Sequence, residues 1–270
     1  MLRTALIAVL LTACGPAIPE MPAAPGTALS LAEIRKDSDQ RLRQLTEKSG
    51  APDIFADYKA DGPVTLGKNF TRRLDFTGIA WDERQTATLV SPQHVVMAAH
   101  FPRQLGATLT FHDRRGKPHQ RTLKQVISLR GVADVCVGIL DQAVPDSISS
   151  YRLLPPNRDY ASLAGSLAIV TNQFRQAHLH EIGRIVGKSA FFKKPDPDRV
   201  ALNLVRTVVK GDSGNPSFLL VGGELVLIET HTTGGMGAGP FYSDPELFNA
   251  INAAMKKLGG DQQLAVVPLR

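Results

Sequence analysis

Between residues 76 and 242 the apolar positions fall into short blocks rich in Val, Ile, Leu, Phe and Thr, separated by clusters of Gly, Pro, Asp and Asn. That pattern predicts strands and turns. The expected strands are 86–91, 94–98, 107–112, 121–129, 134–140, 167–171, 178–186, 201–205, 218–221 and 224–231. Gly222-Gly223 is a good hairpin turn between the last two. Many short strands between turns argue for a barrel or a sandwich.

Two helices flank this region. Ser30-Leu31-Ala32-Glu33 carries a capping-box signature and opens a charged helix to about Lys48. Its apolar positions, Leu31, Ile34, Leu42 and Leu45, are sparse, so surface packing or a spacer role is expected. At the other end, Ser243-Asp244-Pro245-Glu246 supplies an N-cap candidate, a proline and an acid ahead of Leu247, Phe248, Ile251, Ala254 and Met255. Residues 50–68 read as a loop-rich approach or a propeptide, and 262–270 as an edge strand or a loose tail.

The N-terminus sets the expected compartment. Met1-Leu2-Arg3 is followed by a short apolar run, residues 5–11, and then by Leu11-Thr12-Ala13-Cys14, which looks like a bacterial lipobox. The expected organisation is a signal peptide (1–13), a lipidated Cys14 with a Pro/Ala-rich tether (14–28), a helical spacer or propeptide-like extension (29–68) and a main domain (69–270). An ordinary signal peptide ending near a cysteine is the alternative. Gly15, rather than an aspartate, after the cysteine leans towards the outer membrane; without the anchor the protein would be secreted or periplasmic.

Composition narrows the partners. The formal charge is +6, and removal of Arg3 with the signal would leave +5. The positive residues are interspersed with acids and lack interleaved aromatics, so no nucleic-acid partner is expected. An acidic envelope surface or acidic substrates suit the charge better. Of two cysteines, modification of Cys14 leaves only Cys136, so no intramolecular disulfide is expected. Cys136 itself, within Val135-Cys136-Val137, reads as a small buried hydrophobe. The chain is expected to act as a monomer.

The candidate chemistry lies in Gly211-Asp212-Ser213-Gly214-Asn215-Pro216. Flanking glycines suit a tight turn whose backbone N–H groups converge beside the serine, where they can hold a developing oxyanion. A serine hydroxyl also needs a neighbouring base. His94-Val95-Val96-Met97-Ala98-Ala99-His100 ends a strand on a histidine, and Asp134 heads the apolar strand 134–140. Taken singly, each of these is compatible with an ordinary structural residue. Together, in the order His, Asp, Ser on separate local motifs, they resemble the trypsin/chymotrypsin-like serine endopeptidases over residues 74 to 258.

The resemblance implies an all-β fold of two six-stranded antiparallel barrels, with a C-terminal helix, an N-terminal helical extension and an active site between the barrels. It assigns Ser213 as nucleophile, His100 as general base and Asp134 as the carboxylate that orients it. The Gly211 and Ser213 amides would form the oxyanion hole. Protein or peptide substrates are implied, and no metal or organic cofactor is required. Asp113 and Asp141 fit the acid's place less well. Asp212 is expected to be structural and satisfied internally, since no Ile-Val-Gly-Gly-type start is present and activity is expected without processing.

Specificity is less determined. Thr207 stands where basic-specific relatives carry an aspartate. Strand 225–231 would pair with the substrate backbone, and His231, with Thr207 or Thr230 donating, would suit an acidic side chain; the alternative is that His231 merely ends a strand. Glu229 departs from the family, which often has a serine nearby. Two other function classes stand beside the peptidase reading. One is a non-catalytic protease-like binding module, against which the complete triad counts. The other is a lipase or esterase, against which Asn215, Pro216 and the order of the triad count.

Overall fold

The computed structural model describes residues 28–47, 50–82 and 85–270. The expected signal peptide, Cys14 and all of the tether except its last residue lie outside them. In chain order the elements are α1 (Leu31–Thr46), β1 (Phe55–Asp57), β2 (Thr65–Leu66), β3 (Ile79–Asp82), β4 (Gln85–Leu89), β5 (His94–Ala98), β6 (Thr108–His112), β7 (Pro118–Ser128), β8 (Val135–Leu140), β9 (Leu167–Thr171), β10 (Ala177–Val186), β11 (Ser189–Lys193), β12 (Pro216–Val221), β13 (Glu224–Thr230), β14 (Ala238–Pro240) and α2 (Pro245–Leu258).

Two six-stranded antiparallel sheets carry the fold, in the orders β3-β4-β5-β8-β7-β6 and β13-β12-β9-β10-β11-β14. In each, the first strand approaches the last, β3 against β6 and β13 against β14, so both sheets curl into barrels. The strands most central to the site are buried on both faces. Val95 and Met97 of β5 line the first barrel with Leu109, Phe111 and Leu123. Val96 points the other way, into a cluster shared between the barrels with Val137, Ile169 and Phe218. Successive strand residues alternate faces, so a strand buried on both faces reads as an unbroken apolar block.

α1 is more than a spacer. Ser30 and Glu33 form the capping box, with Ser30 N 2.7 Å from Glu33 Oε2. Ile34, Ser38, Leu42 and Leu45 share one buried face against β9 and β12. The small Ser38 lets the helix come close: its hydroxyl donates to Leu167 O at 3.3 Å and accepts from Leu220 N at 3.4 Å. Asp39 accepts from Leu167 N at 2.8 Å and Asp37 from Gly222 N at 2.9 Å. The polar residues that made the helix look like a surface element are satisfying backbone amides of the second barrel.

Other departures from expectation are local. Residues 201–205 form a 3-10 turn at Leu202–Leu204, with Leu204 N bonded to Ala201 O and Val205 N to Leu202 O in place of a ladder. The short strands β1, β2, β3, β11 and β14 add to those expected, the first two within the stretch read as loop. The tail 262–270 is neither loose nor a full strand: Val267 N donates to Leu153 O at 2.9 Å and Arg270 N to Leu29 O at 3.2 Å. α2 is capped by Asp244, whose Oδ1 accepts from the amides of Glu246 and Leu247 at 3.1 Å each, and it packs over β7 and β8. Cys136 is buried, and burial pushes its thiol up to about 12, so it stays protonated.

Candidate active site

The first barrel places a histidine and a carboxylate by strand register. β5 and β8 are neighbours, with Ala98 opposite Val135. A residue just past β5 therefore lies beside the residue just before β8. His100 N donates to Asp134 Oδ1 at 2.9 Å, and His100 Nδ1 stands 2.5 Å from Asp134 Oδ2. Arg130 steadies the same corner through Ala99 O at 2.7 Å. The ring and the carboxylate side chains remain 42% and 34% exposed, so the pair faces solvent at the barrel end.

The second barrel supplies Ser213 on a loop between Val208 and β12. His100 Nε2 lies 2.9 Å from Ser213 Oγ. With Nδ1–H donated to the carboxylate, Nε2 presents its lone pair to the serine hydroxyl, which is the tautomer a general base requires. Gly214, at φ +85°, lets the loop press against the first barrel: a Cβ there would sit 3.3 Å from Thr86 O and 3.4 Å from Ala98 N. Val208 and Gly235 exchange two backbone bonds, at 2.7 and 3.1 Å, and anchor the loop's start.

Buried Asp212 is satisfied internally, as expected. Its Oδ2 accepts from Val209 N at 2.8 Å and its Oδ1 from Gln173 N at 3.1 Å. Among the described residues, no hydrogen bond occupies the Gly211 or Ser213 amides, which leaves both available to an anion. Asn215, treated in the sequence only as a departure from a lipase motif, has a structural task. Its Nδ2 donates to Asp212 O at 3.1 Å, and its Oδ1 accepts from Trp81 Nε1 of the first barrel at 3.0 Å.

The three residues expected to form a specificity pocket stand in different environments. Thr207 is exposed. Thr230 is buried with its hydroxyl 2.8 Å from Tyr242 Oη. His231 is fully buried, its Nδ1 3.1 Å from Glu229 Oε1 and its Nε2 3.5 Å from Ser217 Oγ. Behind them, His180 lies between Met236 O and Arg206 O, at 2.7 Å from each. Burial drives both His178 and His180 down to about 4, so both rings are neutral near pH 7.

A serine hydroxyl against an oriented imidazole, with two unoccupied amides beside it, is equipped for acyl transfer. No family model matches the chain, and no curated protein matches it. Among solved structures, human heparin binding protein is similar at 14% sequence identity with a TM-score of 0.51, covering 69% of this chain and 94% of that one. At that identity the likeness concerns architecture alone: the paired barrels and C-terminal helix form a trypsin-like fold.

Proposed function

We propose that this chain is a serine endopeptidase working through an acyl-enzyme. The observation that carries the reading is the relay from Asp134 Oδ2 through His100 to Ser213 Oγ, at 2.5 and 2.9 Å. Ser213 Oγ attacks the scissile carbonyl while His100 Nε2 takes its proton. The tetrahedral oxyanion accepts hydrogen bonds from the Gly211 and Ser213 amides, where losing one donor costs roughly 10²–10³ in kcat. His100 then protonates the leaving amine, and the same residues direct water at the acyl-enzyme. Asp134 stabilises the imidazolium throughout.

Fluorophosphonate labelling of the full-length protein tests this, since the reagent traps an activated serine. Labelling that disappears in Ser213→Ala, with a peptide library cleaved by the wild type, is the expected result. Folded wild type that neither labels nor cleaves would move the chain to the binding-module reading. Residence in the bacterial envelope through a lipid on Cys14 belongs to the same proposal and rests on Leu11-Thr12-Ala13-Cys14. Incorporation of labelled palmitate that is lost in Cys14→Ala is the outcome it requires.

A further inference from the structure

The Lys210–Gly211 peptide decides whether the loop can hold an anion, because it carries the Gly211 N–H. Val209 to Asp212 form a four-residue turn closed by Asp212 N to Val209 O at 3.0 Å, with Gly211 third at φ +101°. A positive φ at the third position marks a type II turn; type I has negative φ there, and its central peptide is turned over. Both turn types keep the same closing bond. Gly211 permits the type II form without imposing it, so a contact from outside the turn can select between them.

Gln173 is placed to do so. Its Nε2 donates to Lys210 O at 3.0 Å. In a trans amide the C=O and N–H point in opposite directions, so a donor fixed on Lys210 O aims Gly211 N–H to the other side. The carboxamide also packs on Gly211 itself, where a Cβ would come within 2.5 Å of Gln173 Oε1.

Gln173 is itself held firmly. Its backbone N–H goes to Asp212 Oδ1 at 3.1 Å, tying the β9–β10 turn to the nucleophile loop. Within that turn, Asn172 Oδ1 accepts from Phe174 N and Gln176 N at 2.9 and 3.1 Å. The N-terminal extension clamps it from outside. Ile54 N bonds Arg175 O at 3.0 Å and Ala177 N bonds Pro52 O at 2.8 Å. Gln176 Nε2 reaches Asp53 Oδ1 at 3.0 Å, and the Arg175 guanidinium lies 4.1 Å over the Tyr58 ring.

We propose that Gln173 is a positioning residue that holds the Lys210–Gly211 peptide in its anion-binding orientation, on a turn clamped by residues 52–58. The inference rests on the serine-peptidase reading. It gives the extension a standing structural task where a propeptide would be discarded.

Gln173→Met tests it in the full-length protein, since methionine keeps the length and packing but cannot donate to Lys210 O. Gln173→Ala removes both. The expected result is a fall in kcat of about 10–10²-fold in each variant with KM within about twofold, because oxyanion contacts act in the transition state. Affinity for a peptide boronate, which mimics the tetrahedral adduct, falls in step, while the thermal midpoint stays near that of wild type. Wild-type kcat in Gln173→Met overturns the inference and leaves the peptidase reading standing. A loss confined to KM, or one that tracks loss of folded protein, also overturns it. Wild type inert to fluorophosphonate overturns the reading and the inference together.

Discussion

In the first barrel, His100 and Asp134 sit just beyond the ends of two strands that are hydrogen-bonded to each other; in the second, Ser213 sits on a loop outside any strand. The first arrangement needs little help, because the β5–β8 register already brings the two residues side by side. The second is held by side chains that reach backbone groups: Asp212 on two amides, Asn215 on Asp212 O and Gln173 on Lys210 O. A ladder positions through repeated local bonds. A loop positions through single bonds to particular groups, so each partner removed costs placement as well as a bond.

The largest effects test both halves at once. Ser213→Ala and His100→Ala should each lower kcat by roughly 10⁵–10⁶, as expected when one member of a unit that acts together is lost. Asp134→Asn should cost about 10⁴, because the amide can favour the wrong imidazole tautomer. His100 N can still donate to the remaining carbonyl oxygen of residue 134, so the first-barrel corner should keep its geometry. Steady-state hydrolysis of a library-derived peptide, with thermal melts alongside, checks this. An Asp134→Asn variant as active as wild type would contradict the role given to the Asp134 carboxylate.

Asp212→Asn breaks the second half alone. The carboxylate accepts Val209 N on one oxygen and Gln173 N on the other. An asparagine must turn its NH2 towards one of these amides. The buried mismatch costs about 1–3 kcal/mol, and the loop loses its tie to the β9–β10 turn. We expect kcat to fall on the order of 10²-fold, with Ser213 still slowly labelled. Next in size is Leu42→Ala on the buried face of α1. Truncation there should cost about 2–5 kcal/mol of stability, seen in denaturant melts, while kcat per folded molecule is unchanged. A loss no larger than about 0.5 kcal/mol, typical of exposed sites, would restore the spacer view of the helix.

The contrast between barrels also explains what could be read from the chain. β5 and β9 emerge at the expected residues, His94–Ala98 and Leu167–Thr171, because each is a compact apolar block bounded by turn residues. The members of the relay were legible for the same reason: two lie at strand ends and the third between glycines. Residues 201–205 carry the same apolar composition but find no strand to pair with, so they close a 3-10 turn. Thr230 and His231 looked like neighbours in a pocket because they are adjacent in sequence; the folded chain pairs one with Tyr242 and the other with Glu229 and Ser217, partners no local pattern announces. Gln173 and Asn215 left no signal at all. Their partners, Lys210 O and the Trp81 indole, lie 37 and 134 residues away.

The smallest expected effect separates the barrels by their response to acid. Burial lowers His178 and His180 of β10 to about 4, from 6.5 in an unfolded chain, and also lowers His94 and His112 in the first barrel. Below 6.5 the unfolded chain binds more protons than the folded one. The stability tied to these rings is therefore complete above 6.5 and is lost as pH falls from there towards 4. At pH 6 the loss is only about 1 kcal/mol for each of the two β10 rings. They should not respond alike. His180 lies between two carbonyls, and a neutral ring can donate to only one of them; a proton gives it the second bond. His178 Nε2 lies 3.1 Å from Asn172 Nδ2, whose carbonyl oxygen is committed to two backbone amides, so the amide must be the donor. A protonated ring cannot accept that bond. His178→Gln should therefore flatten the slope of thermal midpoint against pH between 6.5 and 5 more than His180→Gln or His94→Gln does. A slope untouched in His178→Gln but flattened in His94→Gln would place the acid-sensitive element in the first barrel.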